Sequence, residues 1–155
     1  MTEAEAPAPL RIRPFAPPDQ PVVIALWHRT GISRPWHDLR AEIRLHARRD
    51  GQLLLVAEAG GRVVGAVMGA WDGRRGWIYH LAVDADWRGR GAGRALLREA
   101  ERALAALGCP KVLLMVREGN LDVAGFYLRQ GYAPEEVRVF SRWLVDPPAP
   151  PAPGT

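Results

Sequence analysis

Seven residues at positions 88–94, RGRGAGR, combine the properties of an anion-binding site. Glycine permits a positive φ and lets a ligand approach the backbone closely, and arginine donates charge-assisted hydrogen bonds to phosphate oxygens. Apolar residues at helical spacing follow and predict a helix over 91–107. The first amides of a helix attract anions. The window therefore predicts a phosphate-binding loop that opens a helix.

Two common phosphate-loop motifs do not match this window. The P-loop ends in Gly-Lys-Ser/Thr, and none of the seven residues is Lys, Ser or Thr. The dinucleotide-binding motif G-x-G-x-x-G, started at Gly89, places its third glycine on Arg94. Three predicted strands also precede the loop, whereas that motif lies early in its βαβ unit. The pattern that remains is Arg88-x-x-Gly91-x-Gly93.

This pattern matches the R/Q-x-x-G-x-G/A signature of the GCN5-related N-acetyltransferases (GNAT), and LAVDADWRGRGAGRALL resembles their strand-loop-helix throughout. NLDVAGFYLRQGY resembles a later block of the same family, A-x-x-F-Y-x-x-x-G-Y/F. The resemblance covers residues 10–145. RPW, GAVMGAWDG and GCPK further resemble a small bacterial subgroup. The family implies the acyl-CoA N-acyltransferase fold and direct transfer of acetyl from acetyl-CoA to a primary amine, without an acyl-enzyme.

The resemblance also implies how acetyl-CoA is held. Backbone amides of the loop wrap the pyrophosphate, between strands 77–84 and 111–117. A backbone N–H of the preceding strand, freed by a bulge, polarises the thioester carbonyl. Asn120, which caps a predicted helix, also contacts the pantetheine arm. The implied cofactor-binding residues are Leu81, Ala82, Val83, Arg88, Gly89, Arg90, Gly91, Ala92, Gly93, Arg94, Asn120 and Tyr127.

Tyr127 is the implied acid for the leaving thiolate. A phenol of pKa about 10 is protonated at neutral pH and can donate to a thiolate whose conjugate acid has a pKa of about 8.5. Its sequence pattern also suits a core aromatic residue on an apolar helix face. Both interpretations stay open at this stage.

The general base is less defined. Many relatives carry a glutamate near the position of Tyr79, and this sequence has none there. Histidine ionises close to neutral pH, which makes the neighbouring His80 a candidate. Strand alternation predicts that Tyr79 and His80 face opposite sides of the sheet unless a bulge intervenes. Glu118 and a chain of water molecules are alternatives.

The acceptor site is expected on the first two helices and the loop that joins them. Trp27, Arg34 and Trp36 are the candidates for binding the acceptor, a small-molecule or peptide amine. Packing is the preferred role for Trp27. We predict no metal site, because the four histidines lack ligand spacing and Cys109 is the only cysteine.

The elements that must position these residues follow from hydrophobic periodicity. The predicted order is β, α, α, β, β, β, α, β, α, β, an α+β (mixed α/β) fold with a twisted mixed sheet flanked by helices. Strands are predicted at 10–15, on either side of Gly60-Gly61 within 52–73, and at 77–84, 111–117 and 136–145; helices are predicted within 17–31, 33–51, 91–107 and 120–130. The crossover through 91–107 should be right-handed.

Composition places the chain among ordinary globular proteins. Its 155 residues predict one domain at 9–145, a disordered N-terminus at 1–8 and a disordered proline-rich tail at 146–155. No apolar run approaches the roughly 20 residues of a membrane span. The first residues do not form a signal peptide, so we expect a cytoplasmic protein without a membrane partner, as a monomer or homodimer.

Two rival functions remain at this stage. The net charge is +4, but the basic residues are scattered among acids, which disfavours nucleic acid as a partner. A regulatory module that binds acyl-CoA without turnover is the second alternative, and the absence of the strand glutamate favours it. The presence of Tyr127 favours the enzyme.

Overall fold

A computed structural model describes residues 8–34 and 36–149 of the chain. Three predicted features lie wholly or partly outside the described residues. They are the disordered N-terminus except its last residue, the proline of RPW, and the proline-rich tail from residue 150 onward. The chain divides into two compact units between Leu114 and Met115. Each unit is described by itself below, and the single domain stays a prediction.

The first unit is built on a five-stranded mixed sheet in the order β1-β2-β3-β4-β5. Neighbouring strands from β1 to β4 are antiparallel, and β4 and β5 are parallel. The mixed sheet confirms the predicted fold class. The strands are β1 Leu10–Pro14, β2 Leu54–Ala59, β3 Arg62–Trp71, β4 Gly76–Val83 and β5 Val112–Leu114.

Three α-helices belong to the first unit, and each buries an apolar stripe. They are α1 Gln20–Arg29, α2 Leu39–Asp50 and α3 Ala92–Ala106; short 3-10 turns lie at Pro17–Asp19, Gly51–Leu53 and Ala85–Trp87. Asp38 begins α2, because its carboxylate accepts a hydrogen bond of 3.0 Å from the amide of Ala41. None of the described helices is both long and apolar enough to cross a bilayer.

The core beside the candidate site joins α1 and α2 to the central strands. Trp27 of α1 is 0% exposed and packs in one cluster with Ile43 of α2, Val56 of β2 and Met68 of β3. This cluster holds the first two helices against the sheet. The residues that project from α1 and α2 toward β4 are therefore fixed by a packed core.

The second unit contains one helix, α4 Leu121–Arg129. The strand predicted at 136–145 is wrong, because residues 133–149 form no strand. A strand requires a neighbouring backbone and a layer that covers its apolar side chains. Neither is supplied here, and Phe140 and Leu144 stay 90% and 92% exposed.

Strand β5 is also shorter than predicted. It ends at Leu114, and all three of its residues are half-buried. The apolar run of this segment indicates a strand covered on both faces, but β5 is the last strand of the described sheet and pairs only with β4. An edge position explains its short length and its partial exposure.

Candidate active site

The loop between β4 and α3 presents an open helix N-terminus. Gly91 is the N-cap of α3 at a φ of 84°, and no side chain caps the helix. The first amides of a helix have no partner within the helix itself. The end of α3 therefore offers free donors and the positive end of the helix dipole.

Gly89 and Gly91 keep the surface above this loop clear. Both have positive φ, and a Cβ added at either position would meet no atom within 4 Å in the described part of the chain. Bulkier residues would be strained in this conformation and would cover the amides. The loop accordingly has both the backbone shape and the free space that a phosphate group needs.

The loop contains three arginines. Arg88, Arg90 and Arg94 are all exposed, whereas Ala92 is buried under the first turn of α3. The guanidinium of Arg90 stacks over the ring of Trp87, 4.9 Å from its centroid. The seven residues of the predicted phosphate loop thus lie between β4 and the first turn of α3.

Strand β4 contains the bulge that the sequence resemblance implies. Ala66 of β3 pairs with Ala82, but Met68 pairs with Tyr79, so His80 and Leu81 together face one residue of β3. His80 has a φ of 53°, and it is the one non-glycine residue with positive φ in the described chain. The extra residue redirects the end of β4 just before the loop.

The bulge interrupts the alternation of Tyr79 and His80, which is the exception that the sequence prediction allowed. Tyr79 packs against the core cluster that contains Trp27. The imidazole of His80 also lies against Trp27, with ring centroids 4.9 Å apart. Both side chains therefore face α1 and α2, because the left-handed conformation at His80 turns its side chain back to the face that Tyr79 occupies.

The end of β4 also has an open edge. Its parallel pairing with β5 ends where Ile78 meets Leu114, although β4 continues to Val83. Residues 79–83 consequently have no parallel partner in the described sheet. This stretch includes Leu81, Ala82 and Val83, the residues for which the resemblance implies contact with a thioester carbonyl.

A carboxylate that the sequence analysis missed lies beside His80. Glu42 of α2 forms a hydrogen bond with His80 through Oε1 and Nε2. The hydrogen bond from His80 holds the pKa of the Glu42 carboxyl below its usual value, against an opposing effect of burial. Glu42 lies in the first turn of an amphipathic helix, but no sequence signal linked it to a residue 38 positions later.

Tyr79 has a different environment from His80. Its ring stacks on Trp77 at a centroid distance of 6.3 Å and an angle of 15°. The indole N–H of Trp77 in turn donates a hydrogen bond of 3.1 Å to Asp72. Burial, followed by the nearby charge of Asp72, raises the pKa of the Tyr79 phenol. Tyr79 therefore stays protonated at neutral pH.

In the second unit, α4 carries Asn120 and Tyr127. Asn120 caps the helix by accepting a hydrogen bond of 3.3 Å from the amide of Val123. Tyr127 is half-buried, and its ring lies 5.1 Å from Phe126 and 5.6 Å from Tyr132, both edge-on. Burial raises the pKa of Tyr127 to about 12. Glu118, the alternative base, is exposed.

The three candidate acceptor residues differ in exposure. Trp27 is fully buried and packs in the core, which is the role that its sequence context favoured. It therefore offers no surface to an acceptor. Arg34 and Trp36 are exposed, and Trp36 lies edge-on to His37 at 6.0 Å. In residues 8–34 and 36–149, no three His, Cys, Asp or Glu side chains form a group that suits a metal ion.

Comparisons with known proteins point to one family. The acetyltransferase (GNAT) family matches residues 21–132. An acetyltransferase of Pectobacterium atrosepticum is 42% identical over 137 residues, which is 88% of this chain and 97% of the relative. The crystal structure of Ard1 from Thermoplasma volcanium is similar at 26% identity and a TM-score of 0.72, over 80% of this chain and 82% of that one.

A second solved structure shows the same fold at lower identity. The aminoglycoside N-acetyltransferase AAC(6′)-Iy, in complex with CoA, superposes with a TM-score of 0.75 at 17% identity. The alignment covers 92% of this chain and 100% of that one.

Proposed function

Since this chain belongs to the GNAT family of acetyltransferases, we propose that it transfers acetyl directly from acetyl-CoA to a primary amine of a small molecule or peptide. One observation carries the proposal. The uncapped N-terminus of α3 directly follows the open, bulged end of β4. Consecutive residues thus supply donors for a diphosphate and for a thioester carbonyl.

The phosphate loop would hold the pyrophosphate of the cosubstrate. Amides of Gly89, Gly91 and the first turn of α3 donate to the phosphate oxygens, and the helix dipole favours their charge. Arg88, Arg90 and Arg94 add positive charge from their exposed positions. The complex of AAC(6′)-Iy with CoA supports this role, because that protein has the same fold.

Residues 81–83 would hold the acetyl group. A backbone N–H at the open edge of β4 donates to the thioester oxygen, where negative charge develops as the amine attacks. Trp27 fixes the bulge by donating its indole N–H to the carbonyl of His80 at 2.9 Å. A donor held in this way needs no rearrangement during the reaction. Asn120, beyond capping α4, would contact the pantetheine arm.

Tyr127 would protonate the sulfur that leaves. Because burial raises its pKa to about 12, the phenol keeps its proton across the neutral range. A CoA thiolate is a weaker base than this phenolate, and it would accept the proton as the C–S bond breaks. A positioned acid contributes about 10²- to 10⁴-fold in rate.

The acceptor would enter along the loop that joins α1 to α2. Arg34 and Trp36 are exposed there and would contact parts of the acceptor other than its amine. Arginine suits an anionic group, and tryptophan suits an aromatic or cationic one. Both preferences are compatible with a small metabolite or a peptide.

Calorimetry and a thiol-release assay test this proposal. Acetyl-CoA should bind, and acetylpantetheine, which lacks the diphosphate, should bind at least tenfold more weakly. A panel of primary amines should include one that releases free thiol in proportion to acetylated amine. Absence of acetyl-CoA binding at millimolar concentration would remove the proposal, and binding without turnover of any amine would favour a regulatory module.

A further inference from the structure

Acetyl transfer to an ammonium group requires a proton acceptor, and the structure joins two residues that suit this task. We propose that His80 accepts the proton of the amine at Nδ1 and that Glu42 is the positioning residue that keeps Nδ1 free. This inference rests on the proposed function. It adds a residue from α2 to the part of the proposed site that β4 and the phosphate loop form.

The hydrogen bond between the two side chains defines which nitrogen is free. Glu42 is ionised at neutral pH, because its hydrogen bond with His80 lowers its pKa. An ionised carboxylate only accepts hydrogen bonds, so Nε2 of His80 carries the hydrogen. In the neutral imidazole the lone pair is then on Nδ1. Nδ1 itself forms no hydrogen bond with any residue of the described chain.

The position of His80 in the bulge places this lone pair at the reacting end of β4. His80 directly precedes residues 81–83, whose amides we assign to the thioester oxygen. Its side chain points to α1 and α2, the elements of the acceptor wall. The side chains of His80 and Glu42 are 19% and 41% exposed, so the pair is open to solvent.

The backbone at His80 indicates that this placement has a function. A left-handed conformation is strained for most non-glycine residues. Glycine would adopt this φ without strain, yet a histidine is found there. Non-glycine residues held at positive φ concentrate at functional sites.

The alternative on the same face does not suit the task. Tyr79 lies against the same core cluster, but burial raises the pKa of its phenol, so it has no free anion at neutral pH. An imidazole with a carboxylate partner is a base in its resting state and is stabilised as a cation after it accepts the proton.

The proton balance of the step is complete. One proton of the acceptor ammonium moves to Nδ1 of His80, and the freed lone pair forms the C–N bond. The C–S bond breaks, and Tyr127 gives its proton to the sulfur. The second proton on the attacking nitrogen restores the Tyr127 phenol, and the proton on His80 returns to solvent. The products are the amide, the free thiol and one proton.

Other groups around the pair also titrate and must be separated from it. His37 and His46 act on Glu42 electrostatically, and both favour its ionised form when protonated. Tyr79 is the titratable neighbour on β4. Trp27 of α1 and Met68 of β3, which complete the surroundings, do not titrate. A change in pH dependence must therefore be assigned with single variants.

The kinetic test measures kcat/KM against pH by thiol release, with the most active amine of the panel. His80→Asn is the first variant, because asparagine tolerates positive φ. It should lower kcat/KM at neutral pH by about 100-fold. Glu42→Gln should lower it about tenfold and move the acid limb of the profile to lower pH, because the carboxylate favours the protonated imidazole.

Two further variants separate positioning from a structural effect. Glu42→Asp keeps the charge and should recover part of the lost rate and the wild-type acid limb. Glu101→Gln removes a carboxylate that forms an ion pair within α3 and should leave the profile unchanged. Acid limbs that coincide in wild type and Glu42→Gln would overturn the inference.

Nitrogen-15 NMR of the imidazole gives a readout that does not depend on turnover. Neutral His80 should show a hydrogen on Nε2 in the wild type and a mixture of tautomers in Glu42→Gln, because a glutamine side chain can donate as well as accept. A hydrogen on Nδ1 in the wild type would overturn the inference. If the wild type turns over an amine and the variants match it, only this inference fails; if no amine is turned over, the proposed function fails with it.

Discussion

The indole N–H of Trp27 donates a hydrogen bond of 2.9 Å to the backbone carbonyl of His80, 53 residues later in the chain. This bond joins the buried face of α1 to the bulge of β4. The two rings also lie against each other, 4.9 Å apart. The core residue Trp27 thus fixes both the backbone and the side chain of the proposed proton acceptor.

Trp27→Phe should therefore reduce stability and activity together. The variant leaves the His80 carbonyl without its donor and opens space in the core, and we expect a loss of about 2 kcal/mol in the free energy of unfolding. Denaturant unfolding measures this loss, and kcat/KM should fall in the folded variant because the bulge is released.

The matched control is Trp143→Phe. Trp143 is exposed in the second unit, so the free energy of unfolding of this variant should change by less than about 0.5 kcal/mol. Equal stability of the Trp27 and Trp143 variants would contradict the role assigned to Trp27.

The parts of the fold that the sequence predicted are those with local signals. Alternating and helical periodicity located β1 to β4 and α1 to α4, and Gly60-Gly61 marked the β2–β3 hairpin. The loop glycines were also readable, because glycines between arginines at a helix start are typical of an anion-binding turn. Gly91 then proves to be the N-cap with positive φ.

The parts that the sequence could not predict depend on contacts between distant residues. The pairing of Glu42 with His80 needs α2 and β4 to meet, and no local pattern states which helix residue faces which strand residue. The alternation at 136–145 is a local signal without a partner strand, so it predicted a strand wrongly. The bulge at His80 was implied only by the family resemblance.

Gly91→Ala tests the phosphate loop. Alanine at a φ of 84° is strained by about 1–2 kcal/mol and adds a methyl group above the free amides. We expect the KM for acetyl-CoA to rise at least fivefold with a smaller change in kcat, measured by thiol release at saturating amine.

Gly73→Ala is the control for backbone strain. Gly73 also has positive φ, at 88°, and open space around it, but it lies in the turn before β4, at the opposite end from the loop. Both variants should lose similar stability, while only Gly91→Ala should weaken acetyl-CoA binding. A similar rise in KM for both would indicate a general effect of strain.

Tyr127→Phe tests the proposed acid. The variant keeps the ring contacts with Phe126 and Tyr132 and removes only the hydroxyl. We expect kcat to fall at least tenfold, with the KM for acetyl-CoA changed by less than about twofold. Tyr132→Phe removes the neighbouring hydroxyl and should keep most of kcat.

The pH dependence gives a second test of Tyr127. Because burial raises its pKa to about 12, the phenol stays protonated up to about pH 10. The kcat of the wild type should therefore show no tyrosine-linked decline between about pH 7 and pH 10. A decline near pH 9 that disappears in Tyr127→Phe would contradict the burial of this phenol.

The ion pair of Asp19 with Arg13 should stabilise the first unit. Asp19 is 8% exposed, and its two oxygens accept hydrogen bonds of 2.8 and 2.9 Å from the Arg13 guanidinium. The amide of Ala16 donates a third bond of 2.8 Å. The bond with Arg13 is the main reason that the pKa of Asp19 lies below its usual value.

The sign of the pH effect follows from this lowered pKa. An aspartate with a lower pKa in the folded than in the unfolded state adds stability above the unfolded value, about 3.9, and loses it as pH falls through the folded value. Asp19→Asn should therefore cost about 2 kcal/mol at pH 7, the scale of hydrogen bonds to a charged group. The deficit relative to wild type should shrink below about pH 4.

Urea unfolding of wild type and Asp19→Asn at pH 7 and pH 3 measures this difference. Asp86→Asn is the control, because Asp86 is exposed in the turn before the phosphate loop. Its variant should match the wild type at both pH values. A deficit of Asp19→Asn that is as large at pH 3 as at pH 7 would show that packing, and not the charge of Asp19, supports the start of α1.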